Sequence, residues 1–283
     1  MPTIAIMGNC QAQELEAMTL MYSNCQVITL PPVFMMTEGD EDKILSKVAN
    51  ADIIFSQRVG DDYPIRYART NYLKDVFPSV ISWPNIYHSG YFPDARYVYL
   101  DGIGKLVGPL DDYHLEIVRA AYVEGLSVID CLAQYELDNF LAMYPDPVGA
   151  SIAELHAREN DVDLKISDFI QSNVFDKKLF YTSNHPVRTV LLEMISRMLK
   201  AVGVVIEKPD FHPYALSKIN LPVYEAVRQL YGIKELPLGS FVGIDRLHIN
   251  TPIESTAARV FEDLQDVVES FYRFYDSVPA IKG

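Results

Sequence analysis

Cys10 lies in the stretch TIAIMGNCQAQELEAM (3–18), between a β-rich apolar run and a helix-like segment. Gly8 permits a tight turn, and Cys10 then falls at or just before the first turn of a helix. Unpaired N–H groups and the positive end of the helix dipole favour a thiolate at such a place. The spacing supports a nucleophile or an acyl-group contact. The alternative is a small buried residue packing a sheet against its helix, a common use of free cysteine.

A thiolate nucleophile needs a proton acceptor within hydrogen-bond reach, most often histidine. Of the six histidines, His114 and His156 fall in helix-like patterns and read as surface or packing residues. His185, in TSNHP between a strand and a helix, would rise to the same sheet edge as Cys10. His88, in the loop after the fourth strand, is the second candidate, and His212 in DFHP the third. The oxyanion formed at an attacked acyl carbonyl needs donors. The backbone N–H groups of Cys10 and Gln11 and the side-chain amides of Asn9, Gln11 and Asn85 are placed to serve, although loop amides also cap turns.

The run SQRVGDDYPIRYARTNYLK gathers Arg58, Arg66, Arg69 and Lys74, with Arg66 and Arg69 spaced to share one helix face. Such a face would meet a pyrophosphate or a 3′-phosphate; otherwise it is a solvated surface paired with Asp61, Asp62 and Asp75. The loop IYHSGYFP offers Tyr87, His88, Ser89, Tyr91 and Phe92 to a sugar ring, or to a core. No Walker or GxGxxG loop occurs, so nucleotide hydrolysis and dinucleotide redox chemistry have no motif. Cys10, Cys25 and Cys131 show no metal-ligand spacing, so no metal is expected and free thiols are the simplest account.

These residues need a frame to hold them. Short β-rich runs, TIAIM (3–7), QVITL (26–30), DIIFSQ (52–57) and SVISW (79–83), with RYVYL (96–100) close behind, are separated by helix-like segments. One of these, PIRYARTNYLKDV, has Asp62 as a possible N-cap and Pro64 suited to a first turn. This alternation predicts an α/β fold with a parallel, doubly wound sheet, whose ligands sit at the carboxyl ends of the strands.

From 102 to 176 helical patterns dominate, broken at Gly125, and read as a helical insertion within a single α/β domain spanning 1–283. The strand KLFYT (178–182) and a helix ending near Gly203 follow. ESTAARVFEDLQDVVESFYRFYD, with apolar residues at helical spacing, closes the chain as a packing helix.

With 49% apolar residues the chain can bury a full core. A net charge of −14 argues against nucleic acid and anionic lipid as partners. There is no leader pattern and no apolar run of membrane-spanning length, so a cytoplasmic protein is expected.

GNCQ after the first strand, PNIYHSGYFPD after a later one and SNHP before a C-terminal helix together resemble the WcbI family of polysaccharide biosynthesis proteins, over roughly residues 1–220. The resemblance implies a coenzyme A-binding acetyltransferase acting on a capsular or other surface glycan. Acetyl-CoA would be the donor and a glycan hydroxyl the acceptor, with Cys10 matching the family's active-site cysteine and His185 its candidate histidine.

The arrangement also resembles the SGNH hydrolases, from which it departs in two places. Cys10 replaces serine, and Thr182 stands where aspartate would precede His185, which leaves a dyad or an orienting group such as Asp94 or a backbone carbonyl. The rival functions are a cysteine-dependent esterase or deacetylase of that type and a noncatalytic glycan-binding protein. Neither the acceptor sugar nor the oligomeric state is legible.

Overall fold

The computed structural model describes residues 1–206, 215–233 and 239–282. Contacts divide the chain into two compact units. The first comprises Met1–Ile86, Ala153–Asn173 and His185–Leu216; the second comprises Tyr87–Ile152, Val174–Asn184 and Ser217–Gly283. The helical stretch expected over 102–176 is therefore shared between them.

The first unit is built on β1 (Thr3–Met7), α1 (Cys10–Tyr22), β2 (Gln26–Ile28), α2 (Glu41–Val48), β3 (Ile53–Gln57), α3 (Thr70–Val76) and β4 (Val80–Trp83). All four strands are parallel, in the order β2-β1-β3-β4. The chain steps outward from β1 to β2, then crosses back to β3 on the other side of β1. Ile4, Ala5, Ile6 and Met7 are all buried, so both faces of the sheet are covered, as parallel strands require. On one face Ala5, Met7 and Ile54 pack with Ile44 and Val48 of α2 and Leu73 of α3.

The mixed α/β architecture matches the reading from sequence, and three boundaries differ. The helix expected from Pro64 begins only at Thr70, because Arg66–Ala68 form a separate 3-10 turn and Arg69 is extended, at φ −69° and ψ 133°. RYVYL adds no strand to the parallel sheet: Tyr99–Leu100 pairs antiparallel with Gly104–Lys105. The closing helix starts at Leu264, capped by Asp263, since Ala258–Val260 is a strand paired with Val242–Ile244.

The second unit holds α4 (Glu116–Val123), α5 (Val128–Ala133), α6 (Leu137–Met143) and the start of α7 (Pro147–Arg158). The first unit takes the rest of α7 together with α8 (Ser167–Asn173) and α9 (Arg188–Ala201), while α10 (Glu225–Tyr231) and α11 (Leu264–Asp276) return to the second. Gly125, at φ +73°, breaks the chain between α4 and α5 as its left-handed backbone demands. Among the described residues no helix is long and apolar enough to cross a membrane.

Candidate active site

The chain leaves β1 and turns at Gly8. A Cβ there would lie 2.8 Å from Gln57 Cβ and 3.1 Å from Ala12 Cβ, so glycine is what lets the turn close against β3. Asn9 caps α1: its Oδ1 accepts from Gln11 N–H at 2.9 Å, and its own N–H donates to Gln57 Oε1 at 2.8 Å. Cys10 is then the first residue of α1, half-buried, with Sγ 3.7 Å from His185 Nε2, a hydrogen-bonding distance for sulfur. A thiol at a helix N-terminus beside an imidazole is the arrangement that stabilises a thiolate and gives its proton somewhere to go.

The expected oxyanion donors divide. The Gln11 backbone N–H is held by Asn9, and the fully buried Gln11 side chain bridges Ile86 and Gln57. Its Nε2 donates to Ile86 O at 2.7 Å, and its Oε1 accepts from Ile86 N–H at 3.2 Å and Gln57 Nε2 at 3.0 Å. Gln11 is thus a clamp tying α1 to the loop after β4, which corrects its expected role as a donor. That clamp sets Asn85 beside the turn, where its Oδ1 accepts from Asn9 Nδ2 at 3.3 Å. The Asn85 Nδ2 makes no hydrogen bond among the described residues.

The cationic run is more dispersed than its spacing suggests. Arg58 donates to Asp161 at 2.6 Å, Arg66 pairs with Glu41 at 3.1 Å, and Lys74 pairs with Asp163 at 2.8 Å, so the partners are not Asp61, Asp62 and Asp75. Arg66 and Arg69 share no helix face, because both precede α3. Arg69 Nε donates to Tyr63 O at 2.7 Å, and its two Nη groups make no hydrogen bond among the described residues.

The aromatic loop turns inward. His88 is fully buried between Tyr91 and Phe180, with ring centroids at 5.0 and 5.3 Å, and burial lowers its pKa to about 3. Tyr91 and Phe92 are also fully buried, and the Tyr91 hydroxyl donates to Val174 O at 2.6 Å. Ser89 N–H donates to Ser151 Oγ at 2.9 Å, and Tyr87 is half-buried. The sugar-stacking surface expected of this loop is therefore largely core.

Asp94 does not orient a catalytic histidine: it is fully buried and accepts from the Tyr135 and Tyr224 hydroxyls at 2.6 and 2.7 Å. Thr182, in the place of an aspartate, donates to the Tyr113 hydroxyl at 2.8 Å. His114 packs against Tyr275 and His156 bonds Gln171 and Ser167, as structural histidines do. His212 lies outside the described residues.

Two features escaped the sequence reading. Gln57 positions the turn through both Asn9 and Gln11; its one signal was a polar side chain ending a buried strand. Phe34 and Met35, 62% and 66% exposed, ride on a 3-10 turn whose Val33 N–H donates to Gly8 O at 2.9 Å. Nothing in PPVFMM separates them from Val33 and Met36, which are core.

The family model for the polysaccharide biosynthesis enzyme WcbI matches residues 3–206, a span that takes in Cys10, Asn85 and His185. The chain belongs to the WcbI family. A solved structure of WcbI, a polysaccharide biosynthesis enzyme, in native form without a disulfide bond between coenzyme A and one of its cysteines, shares the fold. The TM-score is 0.75 at 20% identity, covering 99% of this chain and 92% of that one. No curated protein matches the sequence. Among the described residues no cluster of three or more His, Cys, Asp or Glu side chains could hold a metal ion.

Proposed function

We propose that this WcbI-family chain is an acetyl-CoA-dependent O-acetyltransferase acting on a sugar hydroxyl in the biosynthesis of capsular or surface polysaccharide. The observation that carries the reading is the Cys10 Sγ to His185 Nε2 approach of 3.7 Å at the start of α1. Two further points support it. The family is one of polysaccharide biosynthesis enzymes, and the related solved structure is described in terms of coenzyme A and a cysteine. The strand reversal at β1 favours a doubly wound sheet of the flavodoxin or SGNH kind, whose ligands gather where the order reverses. A cytoplasmic site for the reaction is part of this reading; among the described residues no helix is long and apolar enough to cross a membrane.

In the covalent route His185 Nε2 takes the Cys10 proton and the thiolate attacks the acetyl carbonyl of the donor thioester. The Asn85 amide, whose Oδ1 accepts from Asn9 Nδ2 beside the turn, is the side-chain candidate to face the resulting oxyanion. Collapse expels the coenzyme A thiolate, which takes the proton from His185 and leaves acetyl-Cys10. His185 then accepts the proton of a sugar hydroxyl as that oxygen attacks the acetyl carbon, and the returning Cys10 thiolate is reprotonated by His185. Arg69, with its Nη groups uncommitted, is the freest of the expected cations to take a donor phosphate. Arg58 and Arg66 would have to exchange Asp161 and Glu41 for it. Phe34 and Met35 offer an apolar contact for the donor's uncharged arm.

The test is a mass measurement on intact protein mixed with acetyl-CoA, with and without a polysaccharide acceptor. One acetyl group retained on wild type, absent from Cys10→Ala and discharged by acceptor, is expected. An unmodified protein that still transfers acetyl to the acceptor would instead assign direct attack by the sugar, with His185 as base.

A further inference from the structure

A cavity of about 360 Å³ opens within the second unit, a volume suited to a small organic ligand. Tyr135, Tyr224 and Phe241 wall it, Glu225, Glu262 and Asp263 stand around it, and among the described residues its lining contains no lysine, arginine or histidine. A second hollow of about 400 Å³ shares Tyr135 and Glu225 and adds another carboxylate, Glu136.

The aromatic wall is preset. Both tyrosine hydroxyls are consumed by the two oxygens of the buried Asp94, at 2.6 and 2.7 Å. Their rings are thereby locked edge-to-face at 83° with centroids 5.5 Å apart, and Phe241 lies 6.4 Å from Tyr224. With the phenol oxygens tied to Asp94, these side chains contribute π surface rather than hydrogen bonds to the cavity. The carboxylates differ in how far they are committed. Asp263 caps α11, and Glu225 bonds Gln229 and lies 3.5 Å from Arg228. The Glu262 carboxylate is exposed and has no partner among the described residues.

Negative rims repel anions, and of the carboxylates around the first cavity Glu262 alone lacks a partner among the described residues. Aromatic faces backed by carboxylates attract a cation through both ring quadrupole and charge. We propose that this cavity binds a compact organic cation, its ammonium group set against the Tyr135, Tyr224 and Phe241 rings and within reach of Glu262.

Calorimetric titration of the full chain with two cations, choline and glucosamine, and with their neutral counterparts, 3,3-dimethylbutanol and N-acetylglucosamine, tests this. At least one cation should bind, with its neutral counterpart weaker by roughly tenfold or more. Glu262→Gln should weaken the cation about three- to tenfold, and Tyr135→Leu should abolish binding while circular dichroism reports a folded protein. Saturation by choline alone would assign an alkylammonium ligand, and by glucosamine alone an amino sugar. Equal binding of a cation and its neutral counterpart, or no binding of either cation at about 10 mM, overturns the proposal.

Discussion

The Gly8–Gln11 turn and the Tyr87–Asp94 segment begin from similar ingredients and end in opposite states. Each follows a run that leaves the parallel sheet, and each carries a side chain able to do acid–base or nucleophilic work. In the first, Gln57, Gln11 and Asn9 spend their polar groups on holding backbone, which leaves the Cys10 thiol half-buried against His185. In the second, His88 is sealed among rings and Asp94 beneath two tyrosines. Reactive chemistry needs access as well as residue type, and burial that neutralises an imidazole removes it from proton transfer.

The largest expected difference between the two regions is kinetic. His185→Ala should slow acetyl transfer by about 10²- to 10⁴-fold in kcat, while His88→Leu should leave kcat within about twofold, measured as coenzyme A release in the presence of acceptor. A comparable loss in both variants would break the contrast.

Next in size is the stability of the sealed region. Asp94→Ala leaves two buried tyrosine hydroxyls without an acceptor and should cost about 3 kcal/mol in urea unfolding, whereas Cys10→Ala should cost less than about 1 kcal/mol.

His88 should also show its burial in acid. His88 titrates at about 3 in the folded chain against an ordinary 6.5, so the unfolded chain binds a proton that the folded one refuses across that interval. Stability is then lost as pH falls below 6.5, by about 2 kcal/mol at pH 5. His88→Leu should flatten that limb of the stability profile; an unchanged slope would show that the imidazole is not held neutral.

The smallest effect concerns Glu16 on α1. Burial raises its carboxyl to about 7 from 4.5, although its oxygen accepts from Leu30 N–H at 3.2 Å. Here the folded state binds the extra proton, so stability falls as pH rises from 4.5 through 7 and levels off above. Glu16→Gln keeps an acceptor for Leu30 and should add on the order of 1 kcal/mol at pH 8 but little at pH 5, read from thermal melts at both. A gain equal at both values would deny the titration.

Much of the first unit was legible because its signals are local. The four strands fall where short apolar runs predict them, and Gly8 puts Cys10 at or just before the first turn of α1, of which it is the first residue. The thiol's partner could be narrowed by asking which histidine lies between a late strand and a helix. The misreadings share one cause. Spacing puts Arg66 and Arg69 on a helix that Arg69's extended backbone prevents, and it leaves Tyr91 and Phe92 open between a sugar ring and the core that takes them. Their neighbours come from distant parts of the chain, and no window of sequence contains them.

The sequence by itself determined the alternation of strands and helices, the tight turn before Cys10, its place at a helix N-terminus and the motifs of the family. Period, capping and glycine geometry act over a few residues, so a short stretch suffices to specify them. Only the tertiary structure decided that His185, 175 positions away, meets the thiol, that Gln11 is a clamp, and that His88 and Asp94 are sealed. Burial and pairing are sums over contacts between remote segments, and those sums exist only once the chain has folded.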